Sequence, residues 1–75
     1  MSVEEKIQNE TKTGTVAKCQ FLNIRKFPLV TAPVVEIINR GEKVMIDMTK
    51  FSNDFYKVKT ASGTEGYCKK EFIEV

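Results

Sequence analysis

The sequence predicts an all-β domain, a small barrel or sandwich of five short strands. Three observations carry this. Apolar and polar residues alternate with a period of two in runs of five to eight residues, and turn-forming clusters punctuate these runs at regular spacing. No stretch of the 75 residues sustains a helical period for longer than a turn or two. Internal repeats and low-complexity tracts are absent.

Each element can be justified in turn. Residues 1–13, MSVEEKIQNETKT, are polar. Ser2 followed by Glu5 has the spacing of a capping box, and Val3 and Ile7 share a helical face, but an isolated helix this short is marginal in water. The segment reads as a flexible polar arm, and the domain as residues 14–75. Residues 15–25, TVAKCQFLNIR, form the first predicted strand, with Leu22 and Ile24 on one face and Asn23 and Arg25 on the other. Ala17 and Cys19 have the opposite parity to Leu22 and Ile24, so a kink or bulge is expected near Gln20-Phe21.

The chain continues KFPLVTAP. Pro28 and Pro33 each remove a ladder donor and fix φ, so neither strand nor helix can run through them. The strand therefore ends, a loop stiffened by prolines follows, and a second strand begins at 34–38, VVEII. The turn Asn39-Arg40-Gly41 leads to a third strand over 42–49, with Val44, Ile46 and Met48 facing inward and Lys43, Met45 and Asp47 outward. Ser52-Asn53-Asp54 is a polar turn. The fourth strand, 55–60, places Tyr56 and Val58 inward, and Lys57 and Lys59 outward. A tight hairpin at 61–64 precedes EGYC at 65–68 and the short C-terminal piece EFIEV.

Composition narrows the function classes. Twelve basic residues against ten acidic ones give a net charge of +2, with the signs interspersed. Nucleic-acid binding needs a dense basic stripe, so it is disfavoured; Phe55 with Lys57 and Lys59 is only a thin version of one. The charges of Lys57, Lys59, Lys69 and Lys70 read as solvated surface. There is no histidine, which removes the commonest general base and metal ligand. Neither cysteine sits in an activating motif, and two cysteines alone cannot close a tetrahedral metal site. The expectation is a protein that is not an enzyme and holds no cofactor and no metal. The N-terminal residues do not resemble an export signal, and no apolar run is long enough to span a bilayer as a helix. A cytoplasmic location, or incorporation into a particle, is the default expectation, with free thiols.

The ordered series G-T-V at 14–16, LNIR at 22–25, Pro28, NRGEKVMI at 39–46, ND-FYKV at 53–58 and SGTEGYC at 62–68 resembles the bacterial Src-homology-3-like (SH3) domain. The resemblance covers residues 14–75. It implies a strongly bent, five-stranded antiparallel barrel acting as a non-catalytic module that binds a protein or peptide, or a cell-wall polymer such as peptidoglycan. The sequence departs from the family pattern at Phe27, where a glycine is usual, at Phe55 for tryptophan, and at Tyr67 for tryptophan. In such a barrel the proline-bracketed loop forms one wall of a ligand groove. As a module standing alone, it is expected to serve a multisubunit assembly, a phage or prophage particle being one setting.

The resemblance also directs attention to particular residues. Phe27 has two readings, a ring folded back over the barrel end or an exposed anchor for a partner. Phe55 shares parity with Lys57 and Lys59 and is expected to point away from the core. Were Phe27, Phe51 and Phe55 to cluster beside Asn53 and Asp54, they would form an apolar interaction patch. The predicted ligand-binding residues are Phe27, Pro28, Phe51, Asn53, Asp54 and Phe55. Cys19 and Cys68, placed side by side on the first and last strands by the resemblance, are expected as buried thiols without a disulfide.

Overall fold

The computed structural model describes residues 11–49 and 54–75. The predicted capping box at Ser2 and Glu5, Phe51, and the Ser52-Asn53 half of the polar turn lie outside these residues, as does most of the predicted arm. Seven strands appear where five were expected. They are β1 (Thr11–Val16), β2 (Phe21–Arg25), β3 (Val34–Asn39), β4 (Lys43–Asp47), β5 (Phe55–Thr60), β6 (Glu65–Lys69) and β7 (Ile73–Glu74).

The extra strands have simple causes. The predicted first strand is split, because the chain breaks at Ala17–Gln20 and Lys18 takes a left-handed φ of 66°. This is the parity conflict between Cys19 and Leu22 made physical. The C-terminal piece adds a single 3₁₀ turn at Lys70–Phe72 and the two-residue β7, which pairs with β1. Thr11–Thr13, assigned to the arm by the sequence, pair with Asp47, Ile46 and Met45 of β4.

All strand pairings are antiparallel, in the spatial order β3-β2-β6-β5-β4-β1-β7. Ile38 comes from one edge of this sheet and Ile73 from the other, yet both belong to one buried cluster with Ile24, Ile46, Val58 and Cys68. The sheet must therefore curl until its two ends share a core. Leu22, Ile24, Val44, Ile46 and Val58 are all buried, as their alternation predicted. Met48 and Tyr56 pack against the cluster from its margin.

Two glycines make the turns. Gly41 (φ 91°) and Gly63 (φ 95°) adopt a conformation that disfavours any side chain. Thr60 closes the second turn, its N–H donating to the Thr64 carbonyl at 2.8 Å and its carbonyl accepting from the Gly63 N–H at 2.9 Å. Gly66 is needed for space: a Cβ there would lie 2.7 Å from both the Arg25 carbonyl oxygen and Ile24 Cγ2. This is where β2 crosses β6, with Arg25 opposite Tyr67.

Candidate functional site

The loop at 26–33 is built by its own backbone. Lys26 N–H donates to the Pro33 carbonyl at 2.9 Å, Leu29 N–H to Phe27 at 2.8 Å, and Ala32 N–H to Leu29 at 3.1 Å. The Arg25 guanidinium donates from Nη1 to the Ala32 carbonyl at 2.8 Å, and Ala32 is buried beneath the loop. With both prolines limiting the unfolded ensemble, the loop has one supported shape. That shape turns side chains outward: Phe27 is 50% exposed, Leu29 57% and Val30 60%. Of the two readings of Phe27, the exposed ring is the observed one. Lys26 Nζ lies 5.7 Å from its centroid, within cation–π range. Pro28 is half-buried.

Phe55 corrects the sequence reading. It was expected to point away from the core, and it is only 6% exposed. Strand alternation fixes the face from which a side chain leaves, not whether that face is covered. Phe55 does lie outside the main core cluster, as its parity required. The register also separates it from Phe27. Phe55 and Asp54 lie beside Lys69 and Lys70, where Lys70 N–H donates to the Asp54 carbonyl at 2.8 Å. Arg25 lies opposite Tyr67, so the antiparallel chain beyond it runs toward Glu65 and the 61–64 turn, at the other end of β6. Phe27 and Phe55 therefore do not share a patch. Asp54 is exposed, and with Lys69, Lys70 and Glu71 it lines a shallow cleft of about 300 Å³. Lys70 Nζ lies 5.4 Å from the Tyr56 ring beside it. Phe51 and Asn53 lie outside the described residues.

Sequence reasoning missed two features. The first is how far the apolar surface extends along one hairpin. Phe21 on β2 is exposed, and Val34, Val35 and Ile37 on β3 join the three loop residues, whereas Met45 and Val75 are the other large exposed apolar residues among those described. The signal was present in VVEIIN, whose outward parity carries no charge. The second is a knot of hydroxyls around Glu36. Thr60 Oγ1 donates to Glu36 Oε1 at 2.8 Å, and Ser62 Oγ lies 2.9 and 3.0 Å from the two carboxylate oxygens. Hydrogen bonding by Thr64, Thr60 and Ser62 holds the Glu36 carboxyl below its ordinary range. This ties β3 to the 61–64 turn, next to the loop.

Cys68 is fully buried and Cys19 half-buried, and both are free thiols. Burial, with a smaller contribution from neighbouring Cys19, pushes the Cys68 thiol up to about 12, so it stays protonated and unreactive. Among the described residues, no group of three His, Cys, Asp or Glu side chains could hold a metal ion. No helix among them is long and apolar enough to cross a membrane.

No curated protein matches the chain. Residues 20–74, which take in the proline loop, the exposed hairpin and every strand after β1, match the family model described as Bacterial SH3 domain, and the chain belongs to that family.

Proposed function

We propose that the protein is a non-catalytic interaction module that binds a protein or peptide partner through the face of the 26–33 loop. Bacterial SH3 domains are generally binding modules without catalytic activity, which supports the class of function. The observation that carries the specific reading is the half-exposed Phe27 ring, held out beside Leu29 and Val30 on a loop that its own hydrogen bonds keep in shape. A preformed aromatic anchor meets a partner without a large ordering cost. The test is recovery of partners from the source cell by the wild-type chain and by Phe27→Ala. The expected result is loss of at least one specific partner from the variant, which keeps its fold because Phe27 is outside the core. Equal recovery by both proteins refutes the loop face.

A second reading, binding of a cell-wall polymer, is favoured by the cleft at Asp54, Lys69, Lys70 and Glu71. It offers both charge signs beside an aromatic ring, a chemistry suited to the amines and carboxylates of peptidoglycan stem peptides. Co-sedimentation with purified peptidoglycan that Lys70→Ala abolishes is the expected result for that reading, and absence of sedimentation at low salt removes it.

A further inference from the structure

Building on the loop-face reading, we infer that the β2–β3 hairpin takes a segment of a partner protein that is apolar in its middle and carries carboxylates at both ends. The hairpin is one continuous ribbon. Arg40 N–H donates to the Gln20 carbonyl at 3.0 Å at one end, and Lys26 N–H to the Pro33 carbonyl at 2.9 Å at the other, where the loop begins. Leu22, Ile24 and Ile38 turn into the core, so Phe21, Asn23 and Ile37 leave from the opposite face. Phe21 lies opposite Asn39 and Ile37 opposite Asn23, which makes the two apolar side chains diagonal neighbours. Both are exposed, and the strip continues through Val34, opposite Arg25, to Phe27, Leu29 and Val30 of the loop.

The free charge at this surface has one sign. Residues 17–41 carry four cations, Lys18, Arg25, Lys26 and Arg40, against the single carboxylate Glu36, an excess larger than the +2 of the whole chain. These cations sit at the two ends of the ribbon. Arg40 Nε donates to the Cys19 carbonyl at 3.1 Å beside the Phe21 end, a bond that uses one of the five guanidinium N–H groups. Lys26 is exposed at the loop end, with Nζ 5.7 Å from the Phe27 ring. Carboxylates nearby are engaged within the molecule. Glu36, opposite inward-facing Ile24, is held by the Thr60 and Ser62 hydroxyls. Glu42 accepts from the Asn39 N–H at 2.9 Å, and Glu65 lies 3.6 Å from Lys57.

That pattern selects the occupant. An apolar strip bracketed by cations is complemented by an apolar segment bracketed by anions. A basic partner is repelled at both ends, and a neutral one strips water from the cations without replacing it. The length of β2 sets the spacing. From Gln20 to Lys26, at about 3.3 Å per residue, the two cationic ends lie roughly 20 Å apart. A partner running extended along the ribbon therefore separates its carboxylates by roughly six residues. A bilayer fits less well, because an interfacial anchor sinks only about 5–10 Å. Entered by the loop tip, it leaves Phe21 and Ile37 unused at the far part of the strip. Apolar burial supplies the affinity, and the charged ends supply the choice of partner.

The test is selection from a library of random sixteen-residue peptides displayed on phage, by the full chain, by Lys26→Glu/Arg40→Glu and by Phe27→Ala. Wild type is expected to enrich peptides with an apolar run flanked by Asp or Glu, and the doubly reversed chain to enrich Lys- or Arg-flanked ones instead. A synthetic peptide of the wild-type-enriched sequence then binds the doubly reversed chain about tenfold more weakly, as two partly screened attractions become repulsions, and added salt narrows the gap. Lys26→Glu alone shows part of that loss at an exposed position, independent of the Arg40 bond to Cys19. Apolar peptides enriched without charge preference, or the same peptides taken by wild type and the doubly reversed chain, overturn the inference. Failure of Phe27→Ala to capture those peptides then leaves the loop face standing. Equal capture by Phe27→Ala refutes the loop-face reading, and the inference with it. No enrichment by wild type, or Phe27-dependent sedimentation with phosphatidylcholine–phosphatidylglycerol vesicles in its place, also overturns it.

Discussion

The β2–β3 hairpin and the β4–β5–β6 sheet bury the same kind of residue and present opposite surfaces. Inward, both are aliphatic: Leu22, Ile24 and Ile38 in one, Val44, Ile46 and Val58 in the other. Outward, the three-stranded region sets Asp47 opposite Lys57 and Lys59 opposite Glu65, and Lys57 reaches Glu65 at 3.6 Å. Neighbouring strands there satisfy one another's charges across the ladder. The hairpin carries Phe21, Val35 and Ile37 instead. A domain of this size has little core to spare and needs no uncharged outer face for folding. Among the described residues the exposed apolar side chains concentrate on this hairpin and its loop, with Met45 and Val75 the exceptions, while the neighbouring sheet is faced mainly with charge.

Two ties hold the hairpin to the scaffold, and cutting them tests the division of labour. The largest effect is expected at Gly66, where the strands cross. Gly66→Ala drives a methyl against the Arg25 carbonyl and Ile24 Cγ2, both at 2.7 Å, and backbone cannot step aside as a side chain can. Overpacking of this kind costs about 2–3 kcal/mol, visible as a lower denaturant midpoint with an unchanged slope. An unchanged midpoint would mean that hairpin and scaffold are less tightly joined than the crossing implies.

Glu36 is the second tie, and its effect depends on pH. Its folded-state carboxyl lies below the ordinary value of 4.5 because hydroxyls of Thr64, Thr60 and Ser62 bond the ionised form. The unfolded chain therefore binds more protons in that window, and stability rises with pH through it. The contribution is complete above 4.5 and disappears as pH falls through the lower folded-state value. Melting temperatures followed from neutral pH downward are expected to drop less steeply in Glu36→Gln than in wild type, starting from a lower neutral value. Parallel curves would detach β3 from the 61–64 turn.

The smallest effect belongs to the scaffold surface. Lys57→Ala removes an ion pair whose Glu65 side chain is 60% exposed, so the expected loss is no more than about 0.5 kcal/mol and shrinks in high salt. A larger loss would show that the charged face contributes to the fold rather than merely coating it.

Much of the architecture was legible because alternation is a local property. Leu22 with Ile24 and Val44 with Ile46 announced their strands, and Gly41 and Gly63 marked turns where a side chain is disfavoured. The kink in the first strand was legible as a clash of parities, although the positive φ fell at Lys18 rather than at Gln20-Phe21. The site was less legible, because a site depends on register and cover. Parity alone set Phe55 apart from Tyr56 and Val58, and nothing in the local pattern revealed that it is buried. The proposed grouping of Phe27 with Phe55 required knowing which end of β6 each one meets, a consequence of Arg25 lying opposite Tyr67. Nothing in the local pattern set Glu36 apart, because its hydroxyl partners lie more than twenty residues away.

The bond from Lys26 N–H to the Pro33 carbonyl closes the loop at its neck. The exposed side chains at 27, 29, 30 and 31 are thereby set apart from the barrel, whereas buried Ala32 and its bond to Arg25 hold the loop's base. A scaffold with such a sealed neck can change what it recognises by altering those four outward positions, while the rest of the chain stays as it is.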